Sequence, residues 1–430
     1  MKIFIQTLGC KVNQYESQAL ASMLERLGHE ICDEPDGADA VCINTCAVTA
    51  KAVQKSRQCA RQALSKAAPG ARLILCGCWS QTEPENAAKL SPAVLFGSGD
   101  RAALAQAIHD MDRGGTVQNI DQPFRRRTFE ALPAGSTQHR SRALLKIEDG
   151  CVNFCSYCVI PYARGAVLSL PMEDAKRAAA DLEAQGFREI VMTGIEIASY
   201  GRDLPGHPTL EDVTCAVCDA APRCRIHLGS LEPRCVTEEF CENLAKKPNL
   251  LPHFHLSLQS GCDATLSRMK RRYDTSLFYS AVERLRRHFP NCGITADLIT
   301  GFPGETEEEF SQTLEFIEKC AFSAMHVFPY SVRKGTPAAG MEQLTRKVKE
   351  DRARVASALA ADMKAEFLSR QVGRTLHVLF EEQEGGLWQG HSENYLVVQA
   401  EGTDLRGRIL PVLITEAGPA ALRGVVTETN

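Results

Sequence analysis

Cys151-Val-Asn-Phe-Cys155-Ser-Tyr-Cys158 places three thiols in one short loop. Few folds and fewer chemistries can use them all. The loop follows an apolar run at 143–147 that reads as a strand. Soft thiolate ligands select iron–sulfur clusters, zinc or copper(I). A closed structural zinc site wants four ligands, and this loop offers three. A cubane cluster on three cysteines keeps one iron free for a substrate atom.

The C-x3-C-x2-C spacing resembles that of the radical S-adenosylmethionine (SAM) family. The resemblance implies that the free iron takes the amino and carboxylate groups of SAM. It also implies that an electron from the cluster cleaves the cofactor to a 5′-deoxyadenosyl radical.

The chain has 430 residues, enough for two or three domains. Its net charge of −4 exerts no global pull on nucleic acid, so any RNA contact must come from local basic patches. No apolar run approaches the ~18 residues of a membrane helix, so no membrane partner is expected. The N-terminus runs directly into a strand pattern. With that start, eighteen cysteines point to a reducing, cytoplasmic setting.

Residues 1–112 hold three strand-like runs, at 2–7, 40–44 and 72–75. Each leads to a cysteine: Cys10, Cys46 and Cys78. Helical stretches at 15–27 and 50–67 fill the intervals. Strands alternating with helices predict βα units and a parallel sheet, which binds ligands off the carboxyl ends of its strands. Three cysteines at neighbouring strand ends would then converge. Cys42 lies inside a strand and reads as core. Cys76 is two residues before Cys78, which in a strand predicts the same face, so Cys76 is a possible substitute for Cys78.

Thr7-Leu-Gly-Cys10-Lys-Val-Asn-Gln-Tyr-Glu-Ser17, Asn44-Thr-Cys46-Ala-Val-Thr49 and Gly77-Cys78-Trp-Ser-Gln81 resemble the three cysteine motifs of the methylthiotransferase N-terminal domain. The resemblance implies a second [4Fe-4S] cluster on Cys10, Cys46 and Cys78, beside one on Cys151, Cys155 and Cys158.

Residues 113–142, with Gly114, Gly115, Pro123, Pro133, Gly135 and the triplet Arg125-Arg-Arg127, read as a linker with a possible phosphate contact. Residues 143–370 hold six strand-like runs, near 143–148, 188–194, 225–231, 253–258, 293–299 and 323–328, most of them separated by helices. They predict a partial (β/α)6 barrel with its chemistry in the βα loops. A charged helix at 345–369 follows. By family resemblance, SAM contacts fall on Thr193, Gly194, Ser230, Glu232 and Gln259, with Tyr157 near the adenine. The chain departs from the family after Arg164-Gly165: Leu168 and Leu170 stand where basic residues are usual. Glu196 also replaces a neutral polar residue or histidine. Cys215 and Cys218, in a helical pattern without a second pair, read as structural thiols.

Residues 371–430 change to short alternating runs at 376–381, 395–399, 409–415 and 425–427, divided by glycines. They predict a small antiparallel OB-like barrel that resembles the TRAM domain. Trp388, His391, Asn394 and Tyr395 offer groups suited to unpaired bases.

The family resemblance over nearly the whole chain implies an α/β radical SAM methylthiotransferase acting on a tRNA anticodon stem-loop, with an electron donor such as flavodoxin or ferredoxin. Its cofactors would be two [4Fe-4S] clusters and SAM, which carry the hard step at an unactivated carbon. Three subgroups share the layout. They modify N6-threonylcarbamoyladenosine, N6-isopentenyladenosine, or an aspartate of a ribosomal protein. The first cysteine motif most resembles the threonylcarbamoyladenosine subgroup. A metal-bound RNA-binding protein without catalysis is the competing class.

Overall fold

The computed structural model describes residues 1–113, 115–133 and 141–427. Gly114 and Gly135 of the expected linker lie outside them.

Six parallel strands open the chain: β1 (Lys2–Thr7), β2 (Glu30–Cys32), β3 (Ala40–Thr45), β4 (Arg72–Gly77), β5 (Val94–Phe96) and β6 (Val117–Asn119), in the order β2-β1-β3-β4-β5-β6. Helix α1 (Lys11–Arg26) follows β1, α2 (Ala50–Lys66) follows β3, and the short α3 (Cys78–Thr82) follows β4. Apolar clusters cover both faces of the sheet, as in a doubly covered parallel sheet. The segment expected to be a linker supplies the edge strand β6.

Two short strands, β8 (Glu148–Asp149) and β9 (Leu168–Ser169), pair antiparallel just after β7 (Arg142–Lys146). The central strands run in parallel as β7, β10 (Glu189–Thr193), β11 (Arg225–Leu228), β12 (Ser230–Leu231), β13 (His253–Gln259), β14 (Gly293–Thr300) and β15 (Ala324–Pro329). Gly229 divides β11 from β12, so the six expected strands form two abutting sheets. No pairing joins β15 to β7 among the described residues, and the barrel stays open on one side. Alternation sends Leu145, Ile190, Met192, Ile226, Phe254, Leu256 and Ile294 outward into the helix-covered core. Cys218, Cys224, Cys241, Cys292 and Cys320 sit in that core too.

The helix Arg346–Ser369 packs on β15 and leads to five strands: β16 (Thr375–Glu384), β17 (Leu387–His391), β18 (Val397–Ala400), β19 (Ile409–Ala417) and β20 (Leu422–Val426). They close as β16-β17-β18-β20-β19. The barrel is not wholly antiparallel, because β18 and β20 pair in parallel.

This small barrel stoppers the amino end of the central strands. Tyr395 stacks on His227 and His253, with ring centroids 4.1 and 4.9 Å away. Arg142 donates to Glu381 (2.6 Å), to the Tyr395 hydroxyl (2.6 Å) and to His391 (2.9 Å). A methyl group on Gly293 would meet the Asn394 carbonyl oxygen at 2.5 Å, so only glycine lets the barrels approach this closely. The four groups expected to read RNA bases are therefore internal. Trp388 is a core side chain whose Nε1 donates to Gly402. Asn394 is buried and reaches the Asn291 carbonyl. His391 and Tyr395 belong to the interdomain contact.

Burial holds the His253 imidazole down at about 3, aided by His255, Lys11 and His391. His227 is likewise held well below the ordinary histidine value, first by burial and then by His253. A base whose folded pKa lies below its unfolded one binds fewer protons when folded. Stability is therefore complete above about pH 6.5 and is lost as pH falls toward 3, at about 1.4 kcal/mol per pH unit per imidazole. Glu381 does not mask this. Burial would raise its carboxyl, but His391 and Arg142 hold it at about 2, so its own window lies lower. Thermal unfolding midpoints should fall steadily between about pH 7 and pH 5, and His253→Asn should flatten that slope. An unchanged slope in the variant would refute the assignment.

Candidate active site

The three strands β1, β3 and β4 are neighbours, and each delivers a cysteine from its carboxyl end. Cys10 caps α1, Cys46 follows β3, and Cys78 begins α3. The loops touch: a methyl group on Gly9 would meet Cys46 Cβ and Sγ at 3.0 Å. A charge on Cys10 or Cys46 is felt at Cys78. Gly77 separates Cys76 from Cys78. Its positive φ of 97° turns the chain, so the two thiols do not share a face as a continued strand would require. Cys76 instead pairs with Cys42 in the core and contacts the Ile43 carbonyl at 3.9 Å. It stands apart from the trio.

Cys151, Cys155 and Cys158 form the loop after β8, at the carboxyl end of the central strands. Burial comes first among the forces that push the Cys78, Cys151 and Cys158 thiols up to about 12. Bare, these thiols keep their protons, and iron binding must displace them. Cys158 also feels a charge on Cys78, so these two members of the trios lie near one another. Val159 and Ala163, from the radical SAM loop and the helix after it, pack in the same core as Cys78 and Trp79.

Each trio has its own guanidinium. Arg164 Nε donates to Cys78 Sγ at 3.4 Å, and Arg271 Nη1 donates to Cys155 Sγ at 3.2 Å. Backbone N–H groups two residues on point at sulfur, Val48 to Cys46 and Ile160 to Cys158, both at 3.5 Å. Donors aimed at sulfur are what an anionic iron–sulfur cluster needs around it. Among the described residues, no three His, Cys, Asp or Glu groups close on one metal ion. A single zinc needs its sulfurs all within about 2.3 Å of one point, whereas a cluster spreads them over separate irons. The donors aimed at sulfur fit an anionic cluster.

Beneath the thiols lies a buried ion network. Glu16, on α1, is fully buried and pairs with Arg101 (3.0 Å), Lys146 (3.1 Å) and Arg164. Asp149 adds to Lys146 (2.6 Å) and Arg164 (3.2 Å). Arg164 also donates to Asn13 Oδ1 at 2.7 Å. Burial alone would raise the Glu16 carboxyl, but Arg164, Lys146 and Arg101 hold it well below the usual range. Glu16 and Asn13 sit in the first cysteine motif. Arg271 had no signal in the sequence.

The residues expected to contact SAM gather at the same end of the barrel. Thr193 ends β10, with Gly194 next; Ser230 and Glu232 lie at and after β12, and Gln259 ends β13. Glu232 is not free, since Arg234 pairs with it at 2.8 Å. Tyr157 lies edge-on to Phe302, with centroids 6.4 Å apart. Glu148, wholly buried beneath Gly194, keeps Oε1 without a protein partner, and Asn153 keeps Oδ1. Such orphaned acceptors fit a polar ligand at this mouth. Glu196 accepts from Asn153 Nδ2 at 2.6 Å. Leu170, which replaces an expected basic residue, is buried in the barrel core.

Residues 2–97 match the model of "Uncharacterized protein family UPF0004", and residues 145–317 match that of the "Radical SAM superfamily". Over 425 residues the chain is 35% identical to the threonylcarbamoyladenosine tRNA methylthiotransferase MtaB of Bacillus subtilis, covering 97% of this chain and 94% of the relative. The chain belongs to the radical SAM methylthiotransferases. Another relative in this methylthiotransferase family, the tRNA-2-methylthio-N(6)-dimethylallyladenosine synthase of Maricaulis maris, is 32% identical, covering 99% of this chain and 97% of its own. The fold is shared with the radical SAM methyltransferase TsrM of Kitasatospora setae, with a TM-score of 0.57, 15% identity, and coverage of 90% and 80%. Among the described residues of this methylthiotransferase, no helix is long and apolar enough to cross a membrane.

Proposed function

We propose that the chain inserts a methylthio group at carbon 2 of N6-threonylcarbamoyladenosine next to the anticodon (position 37) of tRNA. The observation that carries this reading is a pair of thiol trios that approach one another at Cys78 and Cys158, in a chain so similar, end to end, to threonylcarbamoyladenosine methylthiotransferases. Two [4Fe-4S] clusters and SAM would supply sulfur and methyl transfer and the removal of hydrogen from an unactivated carbon. Cys10, Cys46 and Cys78 would hold one cluster, and Cys151, Cys155 and Cys158 the other.

The protein's own part is placement. Arg164 and Arg271 orient one sulfur of each trio and balance its charge. Thr193, Gly194, Ser230, Glu232, Gln259 and Tyr157 surround the mouth where SAM would lie. The exposed rings of Phe154 and Tyr162, beside the cysteine loop, suit base stacking, and Arg125 and Arg127 stand near on Phe124's segment. A flavodoxin or ferredoxin would deliver the electron, in the cytoplasm. The small terminal barrel is read as a TRAM domain.

Nucleosides from cells with and without the gene test the reading. Loss of 2-methylthio-threonylcarbamoyladenosine in the deletion strain is expected. Its persistence in a strain without a paralogue would overturn the substrate, and accumulation of unmodified isopentenyladenosine would point to the other subgroup.

A further inference from the structure

A cavity of about 620 Å³ opens where the three parts of the chain meet. Lys11, Gln14 and Gln18 line it from α1, Leu144 and Val191 from the inner face of the central barrel, and Tyr395 from the terminal barrel. Positions 11, 14 and 18 recur at helical spacing, so one face of α1 supplies a cation and two amides. Among the described residues Lys11 has no ion-pair or hydrogen-bond partner. Its neighbours are already engaged. Arg142 is held by Glu381 and Tyr395, and Arg225 pairs with Glu189 at 2.6 Å. Arg406 and Glu382, both exposed on the terminal barrel, face the cavity with opposite charges. The ammonium of Lys11 thus lines the cavity without a direct partner among the described residues, with Glu189 acting on it only at longer range.

Its place in the chain gives that charge a purpose. Lys11 follows Cys10 directly, at the first turn of α1. One ring nitrogen separates carbon 2 of adenine from carbon 6, which bears the substituent. A base with carbon 2 at the thiol trios therefore carries its N6 group close to Cys10. A threonylcarbamoyl group ends in a carboxylate and a hydroxyl, whereas a dimethylallyl group is hydrocarbon. A site that pairs a carboxylate disfavours the analogue without one, because the charge-assisted hydrogen bond is then lost.

We propose that Lys11 receives the carboxylate of the N6 substituent, with Gln14 and Gln18 as hydrogen-bonding neighbours. The proposal rests on the substrate reading above and names the residue that enforces it.

Binding of three anticodon stem-loops to the reconstituted full-length protein tests it, by fluorescence anisotropy. The loops share one sequence and carry threonylcarbamoyladenosine, its methyl ester, or unmodified adenosine. The wild-type protein should prefer the free acid over the ester by about tenfold or more, the scale of one charge-assisted hydrogen bond. Lys11→Met should erase that preference while binding the ester as before, and Lys11→Arg should keep it. Iron content, measured on each variant, shows that the Cys10 site is intact. Retained preference in Lys11→Met overturns the proposal. So does equal weakening toward all three loops, which would make Lys11 a backbone-phosphate contact. If the wild-type protein itself binds all three loops alike, the substrate reading falls, and this proposal with it.

Discussion

Alanine at Cys10, Cys46 and Cys78 together is expected to remove about half of the iron and acid-labile sulfide and to abolish methylthio transfer, while SAM cleavage persists. The reason is the division of labour that the two-cluster reading assigns to the two thiol trios. Cys151, Cys155 and Cys158 come from a single loop and keep their ligand set in that variant. The converse triple variant should also lose about half of the iron, and with it SAM cleavage as well as product. Metal analysis after anaerobic reconstitution, with 5′-deoxyadenosine quantified in parallel, separates the two. Unchanged iron in either variant, or zinc without sulfide in the parent, would defeat the two-cluster reading.

Glu16→Gln is expected to cost about 3–5 kcal/mol of folding stability, the usual penalty for breaking a buried ion pair from one side. Glutamine fills the same space, so packing is kept and the loss is electrostatic. Arg101, Lys146 and Arg164 remain buried, with Asp149 as the anion left to the last two. The urea midpoint should fall sharply, and the first domain should part from the barrel early in unfolding. A loss under about 1 kcal/mol, the size of an ordinary substitution, would show that water compensates the cations instead.

Much of this was legible in the residues. The spacing of the three cysteine-terminated runs announced adjacent parallel strands, because a βα unit has a characteristic length. The six central strands were visible as apolar runs for the same reason. Other features depend on contacts that local pattern does not encode. Strands β2, β5 and β6 are three residues each, too short for periodicity to register. Trp388 and Tyr395 looked like base-reading aromatics because a ring on an alternating strand is equally at home in a core or on a surface. Glu16 meets Lys146 and Arg164 across 130 and 148 residues of chain. Arg271 lies 116 residues beyond the cysteine it supports. Only the folded chain brings these together.

The welding of α1 to β7 and to the helix Ile160–Arg164 through Glu16 has a kinetic corollary. Both cysteine trios stand beside one buried ion network. Breaking that network costs more than an ordinary contact, so on the two-cluster reading successive reactions are expected to be timed by the traffic of small cofactors rather than by opening and closing of domains.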